Sequence, residues 1–141
     1  MLADEIMLIE DNRGDVLLLR EAFERTRGAN APKITALGDG VVALDLLRAR
    51  AAASPPRLPD LVLLDLNLPR MDGAEILRQI CAEPAFRHLP VMIFTSSSSD
   101  QHVAAAHGLP PEHYLVKPSS FRGFVEIAER LGRFLDARRR P

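Results

Sequence analysis

The sequence predicts an α/β protein with a doubly wound parallel sheet of five strands and five helices in a single domain. Five short apolar runs lack strict alternation, which is typical of strands buried on both faces of a parallel sheet. Segments with helical spacing of apolar residues follow these runs, and this alternation of strand and helix is the pattern of an open α/β sheet. The length of 141 residues suits one domain, spanning residues 1–141.

The predicted strands are separated by segments that a strand cannot contain. Asn30-Ala31-Pro32 ends the first helix, and a long loop over residues 51–59 is centred on Ser54-Pro55-Pro56. The strands are therefore predicted at residues 6–9, 33–37, 61–64, 91–94 and 114–116.

Caps and apolar spacing predict the helices. Asp39 can cap the second helix, and Asp72 with Glu75 has the spacing of a capping box for the third. Ser98 with Gln101 has the same spacing before a weak fourth helix, while the first continues to residue 27 and the last covers residues 121–135. The apolar sets of the first, second, third and last helices are Val16, Leu19, Ala22 and Phe23; Val42, Leu46 and Leu47; Ile76, Leu77, Ile80 and Cys81; and Phe121, Phe124, Val125, Ala128, Leu131 and Leu135.

The overall charge excludes some partners. A net charge of −1 does not favour binding to nucleic acid or to a membrane surface, and we interpret the basic tail at residues 138–141 as a solvated end.

Cys81 is the only cysteine, so an internal disulfide is impossible. It falls among the apolar positions of its helix, and we expect its side chain to lie in the core of the domain. The N-terminus does not resemble a signal peptide, and these features predict a cytoplasmic protein.

Polar residues follow the predicted strands at the point where each strand ends. Glu10 and Asp11 follow the first strand, Asp65 the third, Thr95 the fourth and Lys117 the fifth. Because the carboxyl ends of parallel strands share one edge, where ligands bind in such sheets, we expect these side chains to lie together.

This grouping of charges predicts a cation and phosphoryl chemistry. Three carboxylates repel one another unless a cation joins them, and hard oxygen ligands suit Mg²⁺. Asp65 could then attack phosphorus to form an aspartyl phosphate, while Lys117 neutralises charge on the phosphoryl oxygens.

Several motifs resemble those of the receiver domains of two-component response regulators, across essentially the whole chain. They are Glu10-Asp11-Asn12, Asp65-Leu66-Asn67-Leu68-Pro69 with Met71-Asp72-Gly73, Thr95-Ser96, and Tyr114-Leu115-Val116-Lys117-Pro118. The resemblance implies a flavodoxin-like architecture.

The same resemblance assigns roles in phosphoryl transfer and metal binding. Asp65 would be the phosphoacceptor and a Mg²⁺ ligand, with Asp11 as a direct ligand. Glu10 would act on the metal through water, and Asn67 through its backbone carbonyl. Lys117 would hold a phosphoryl oxygen, and the Lys117-Pro118 bond is expected to be cis.

The resemblance also assigns residues of a switch. Thr95 and Ser96 would bind the phosphoryl group, and the small Ser96 would leave that group open to attack. Thr95 and Tyr114 resemble the switch pair of the family, in which the hydroxyl approaches the phosphoryl group and the ring swings inward.

A narrower resemblance concerns the partners. The run from Glu10 to Val16, the long loop and residues 65–69 are similar to stand-alone regulators that partner phytochrome-type histidine kinases. This implies a histidine kinase as phosphoryl donor, a downstream protein or phosphotransfer partner, and no enzymatic activity beyond self-catalysed phosphotransfer and autodephosphorylation.

Other interpretations stay open beside this one. The chain could be a receiver-fold binding module that works without phosphorylation, although its acids and lysine argue against this. An aspartyl phosphatase acting on small molecules is disfavoured because Asn67 stands where a second acid is needed. The Gly-Asp-Gly-Val-Val-Ala run at residues 38–43 favours a tight turn over a dinucleotide site.

Ile127 and Phe134 widen the apolar face of the last helix, which indicates either a broad core contact or a homodimer or partner surface.

Overall fold

The computed structural model describes residues 4–139, and the strands lie where the sequence predicts them. They are β1 (Glu5–Ile9), β2 (Lys33–Leu37), β3 (Leu61–Leu64), β4 (Val91–Thr95) and β5 (Tyr114–Val116). The neighbours are all parallel, in the order β2-β1-β3-β4-β5. The predicted α/β fold class is confirmed, and all strands end at one edge.

Helices cover both faces of this sheet. Within residues 4–139 they are α1 (Arg13–Arg27), α2 (Gly40–Ala51), α3 (Gly73–Ala82), α4 (Gln101–Ala106) and α5 (Phe121–Arg139), with short 3₁₀ turns at Gly28–Asn30, Pro84–Phe86 and Pro111–His113. None of the helices in the described part of the chain has the length and apolar character of a membrane span.

The core consists of two apolar layers, one on each face of the sheet. One layer joins α1 and α5 to alternate residues of β1, β3 and β4, and the other joins α2 and α3 to the residues between them. Burying one Leu or Ile side chain contributes about 1.5–3 kcal/mol, so the two layers hold the central strands firmly. The polar residues that follow these strands are therefore presented by a rigid frame. The fully buried residues of the central strands include Ile6, Met7, Leu8, Ile9, Leu61, Val62, Leu63, Leu64, Ile93 and Phe94.

Side-chain caps begin the helices beside the carboxyl edge. The Asn12 side chain accepts a hydrogen bond from the Asp15 N–H at 3.0 Å, and Asp39 accepts one from the Val41 N–H at 2.8 Å. Asp72 caps α3 through the Ala74 N–H at 3.1 Å, as predicted. The second half of the predicted capping box is not formed as expected, because Glu75 instead accepts hydrogen bonds from Arg78 and Gln79.

Two side chains predicted to lie in the core are exposed. Val42 is 48% exposed, and Cys81 is also exposed. In α2 the buried face includes Ala43, Leu44 and Leu47, and Val42 therefore lies on the exposed side of the helix. In α3 the buried positions end at Ile80, and the next residue lies about 100° further around the helix.

Two other local predictions were wrong. Ser98 does not cap α4. The helix begins after Asp100, whose side chain forms no capping hydrogen bond. The bond before Pro118 is not cis, since in the described chain the cis peptide bond joins Ser54 and Pro55.

The end of α5 is anchored to the rest of the domain. Arg27 and Asp136 form a bidentate pair at 3.0 and 2.7 Å, and a Cβ at Gly132 would lie within 2.8 Å of three atoms of this guanidinium group. Arg138 donates to the Asp60 carbonyl, and Arg139 lies 3.1 Å from the Asp4 carboxylate. The first two residues of the predicted basic tail are thus exposed but bonded, while residues 140 and 141 lie outside the described part.

The predicted interface pair on α5 is divided between core and surface. Ile127 is 7% exposed and belongs to the core layer with α1, so of the two interpretations left open the structure favours the broad core contact for this residue. Phe134 is partly buried, with its ring 5.6 Å from the ring of His113 in an edge-to-face contact. The broad apolar face of α5 is therefore mainly a core contact.

Candidate functional site

Backbone hydrogen bonds fix the polar residues at the carboxyl edge. The Glu10 N–H donates to the Leu37 carbonyl at 2.9 Å, and the Asp65 N–H donates to the Ile9 carbonyl at 3.0 Å. The Lys117 N–H donates to the Thr95 carbonyl at 2.7 Å. Each residue is therefore held by the neighbouring strand, and the predicted grouping of their side chains is observed.

An acidic cluster lies at the centre of this edge. Glu10, Asp11 and Asp65 each offer a carboxylate oxygen, and these three oxygens lie within 4.8 Å of one another. Glu10 and Asp65 are 3% exposed, whereas Asp11 is exposed. Hard oxygen ligands at this spacing suit a divalent cation such as Mg²⁺. The residues therefore fit the metal that the sequence predicts.

Burial and polar contacts have opposite effects on the pKa of the Glu10 carboxyl group. Its Oε2 accepts a hydrogen bond from the Asn12 N–H at 3.0 Å, and Lys117 Nζ lies 2.5 Å from its Oε1. Burial nevertheless raises the pKa of Glu10 to about 7, against the lowering by these two partners, and the nearby Asp65 adds to the rise.

Lys117 is the positive centre of the site. Its Nζ lies 2.5 Å from Glu10, 2.9 Å from Asp15 and 3.1 Å from Asp65. Burial alone would favour the neutral amine, but these three carboxylates outweigh it and raise the pKa of Lys117 above its ordinary value. The side chain therefore carries a full positive charge beside Asp65.

The remaining predicted site residues surround Asp65. The Asn67 N–H donates to Asp65 Oδ1 at 3.0 Å, which leaves Oδ2 facing Lys117. The Asn67 side-chain amide lies 3.3 Å from the fully buried Thr95 hydroxyl, and Ser96 is exposed. The roles assigned to the Asn67 carbonyl and to the two hydroxyls stay predictions.

Tyr114 occupies an inward position in this structure. The side chain is 9% exposed, packs in the core layer with α2 and α3, and donates a hydrogen bond from its hydroxyl to the Ser97 carbonyl at 2.6 Å. Burial raises its pKa above the ordinary value. The ring thus ties β5 to the loop after β4, and its predicted movement stays a prediction.

The sequence interpretation missed one residue of this site, Asp15. It lies in the first turn of α1, four residues after Asp11, and contacts Lys117. Asp11 precedes the helix, so no helical spacing links the two acids, and the sequence carries no signal that places Asp15 against Lys117.

A parallel sheet in this strand order defines a flavodoxin-like α/β protein, and its carboxyl edge carries a buried lysine beside an acidic cluster with oxygens spaced as a divalent cation needs. Residues 6–129 match the model of the response regulator receiver domain, and the chain therefore belongs to this family.

The chain is also similar to individual members of the family. It is 39% identical over 126 residues to the probable methanogenesis regulatory protein FilR2 of Methanothrix harundinacea, covering 89% of this chain and 79% of that protein. It is 30% identical over 129 residues to response regulator Rcp1 of Synechocystis, covering 92% and 86%.

Solved structures show the same likeness. The phosphorylated cyanobacterial phytochrome response regulator RcpA has a TM-score of 0.81 at 28% identity, covering 95% of this chain and 94% of that one. The Mn²⁺-bound form of Rcp1 has a TM-score of 0.75 at 26% identity, covering 93% of each chain. The predicted resemblance to phytochrome response regulators is confirmed.

Proposed function

We propose that this protein is a response regulator whose Asp65 accepts a phosphoryl group from a histidine kinase in a Mg²⁺-dependent reaction. The observation that carries the proposal is the environment of Asp65. Its carboxylate is buried, one oxygen is held by the Asn67 N–H, and the other faces the Lys117 ammonium. A carboxylate oriented in this way can act as a nucleophile.

The reaction transfers a phosphoryl group between two side chains. An Asp65 oxygen forms a bond to phosphorus while the bond from phosphorus to the kinase histidine nitrogen breaks, and the electron pair of that bond stays on the imidazole. Lys117 neutralises charge on the phosphoryl oxygens, because its ammonium lies 3.1 Å from Asp65 Oδ2.

Glu10, Asp11 and Asp65 would hold the metal, together with the Asn67 carbonyl. When bound, Mg²⁺ supplies the positive charge that phosphoryl transfer requires. Support comes from the three carboxylate oxygens within 4.8 Å and from the Mn²⁺-bound form of the similar protein Rcp1.

The likeness to RcpA and Rcp1 supports a phytochrome-type kinase as the donor. We further propose that Thr95 and Tyr114 pass the change at Asp65 to a surface formed by α4, β5 and α5, which a downstream protein or phosphotransfer partner reads. Catalysis is limited to the protein's own phosphotransfer and autodephosphorylation. A homodimer and a cytoplasmic location stay predictions.

Incubation with acetyl phosphate tests the proposal. We expect intact-mass spectrometry to find one phosphoryl adduct on the wild type, dependent on Mg²⁺, and none on Asp65→Asn, which removes the nucleophile but keeps the shape of the side chain. Asp60→Asn is the matched control, since Asp60 lies at the opposite edge of the sheet, where it accepts the Glu5 N–H.

Failure of the folded wild type to form an adduct in the presence of Mg²⁺ contradicts the proposal. That result would favour the phosphorylation-independent binding module.

A further inference from the structure

The Lys117 ammonium lies within 3.1 Å of three carboxylates. An ammonium group has three N–H donors, and three carboxylates surround this one, from Glu10, Asp15 and Asp65. Two of them, Glu10 and Asp65, directly follow strands and belong to the acidic cluster described above. The third, Asp15, comes from α1 and is not part of the cluster whose oxygens lie within 4.8 Å of one another.

The position of Asp15 is well defined by its helix. Its backbone N–H is bonded to the Asn12 cap at 3.0 Å, which fixes the first turn of α1. An acidic residue in the first turn is also favoured by the helix dipole. The side chain is 19% exposed, and its Oδ2 lies 2.9 Å from Lys117 Nζ, closer than the 3.1 Å of Asp65.

We propose that Asp15 is a positioning residue for phosphoryl transfer, which acts through Lys117 by holding the ammonium on the α1 side of the site and competing with the phosphoryl group for it. This inference rests on the proposed function. A phosphoryl group on Asp65 must interact with the Lys117 ammonium in order to be stabilised by it. Asp15 competes for the N–H donors of the same ammonium.

The negative charge of Asp15 is expected to have opposite effects on the affinity for Mg²⁺ and on the affinity for a phosphoryl group. Together with Glu10, Asp11 and Asp65 it gives four carboxylates against one ammonium, which attracts a divalent cation and repels a phosphoryl group. Lys117 keeps Glu10 and Asp65 as partners when Asp15 is neutralised, so it is expected to stay in the site. A neutral residue at this position should therefore weaken Mg²⁺ binding and strengthen phosphoryl binding.

The test compares Asp15→Asn with Glu21→Gln, which removes one negative charge from an exposed position of the same helix. For Asp15→Asn we expect Mg²⁺ affinity, measured by calorimetry, to fall several-fold. At saturating Mg²⁺, the affinity for beryllofluoride, a phosphoryl analogue, should rise several-fold. Glu21→Gln should change neither value, and Asp15→Glu should restore both towards wild type.

Two further readouts identify the route through Lys117. The ¹⁵N NMR signal of the Lys117 ammonium should be observable in the wild type and broadened by faster hydrogen exchange in Asp15→Asn. In a Lys117→Met background, Asp15→Asn should no longer strengthen beryllofluoride binding, because the group through which Asp15 acts is absent.

The inference is overturned if Asp15→Asn matches Glu21→Gln, or if it weakens both ligands together, as a purely structural defect would. It is also overturned if the gain in beryllofluoride affinity persists without Lys117. These outcomes leave the proposed function standing, provided that the wild type is phosphorylated. A wild type that takes neither acetyl phosphate nor beryllofluoride contradicts both proposals.

Discussion

Replacing Lys117 with methionine is expected to lower the free energy of unfolding of the Mg²⁺-free protein by about 3 kcal/mol. The ammonium is the counter-charge of the fully buried Glu10 side chain and of Asp65, which is 5% exposed at its side chain. Removing one partner of a buried pair leaves the other charge desolvated and unpaired, although protonation of Glu10, whose pKa is already raised to about 7, relieves part of the penalty.

Urea unfolding with and without Mg²⁺ measures this effect. Added Mg²⁺ should stabilise Lys117→Met more than the wild type, since the metal then supplies the missing positive charge. Lys33→Met is the matched control, because Lys33 is the other lysine of the chain and is exposed on β2. Equal stability of the two variants in the absence of Mg²⁺ contradicts the account of the charge balance.

Replacing Gly73 with alanine is expected to cost about 3 kcal/mol of stability and to reduce phosphorylation of the protein that still folds. A Cβ at this position would lie 2.6 Å from the Asp65 carbonyl oxygen and against the backbone of Leu66. These are main-chain atoms, so the strain can be relieved only by moving the segment that carries the proposed phosphoacceptor.

Gly38→Ala is the matched control for this substitution. A Cβ there would lie 3.5 Å from the Asp11 Cα, which is an ordinary contact, so its stability should stay within about 0.5 kcal/mol of wild type. Thermal unfolding and the yield of the acetyl phosphate adduct compare the two variants. A Gly73→Ala protein as stable and as readily phosphorylated as Gly38→Ala would show that neither stability nor phosphorylation requires the close approach of α3 to Asp65.

The sequence predicted which side chains meet at the carboxyl edge because strand ends are easy to locate. An apolar run that stops at an acid or a lysine, as at Glu10, Asp65 and Lys117, marks both the strand boundary and the edge of a parallel sheet. The local pattern therefore carries the information on which side chains meet, and the structure places those three together.

Features that depend on the angle of a helix against the sheet could not be predicted in the same way. Val42 and Cys81 were assigned to the core from their apolar character, but the packing of α2 and α3 gives the buried face to their neighbours. Ile127 was divided between two interpretations because the width of an apolar stripe does not reveal what covers it.

Asp15 was missed for a related reason. Its contact with Lys117 joins the first turn of α1 to the residue after β5, and it depends on how closely α1 approaches that strand end. No short motif records that distance. The structure was required to show that a carboxylate outside the predicted set shares the ammonium.

Chemical mapping of the acyl phosphate tests whether Asp65 carries the phosphoryl group. Borohydride reduces an acyl phosphate to an alcohol, so a phosphorylated aspartate becomes homoserine and can be located by peptide mass spectrometry. We expect homoserine at position 65 in protein treated with acetyl phosphate and Mg²⁺, and unmodified aspartate there without Mg²⁺. Homoserine at Asp11 or Asp15 instead, or a phosphoryl group that resists reduction, would contradict it.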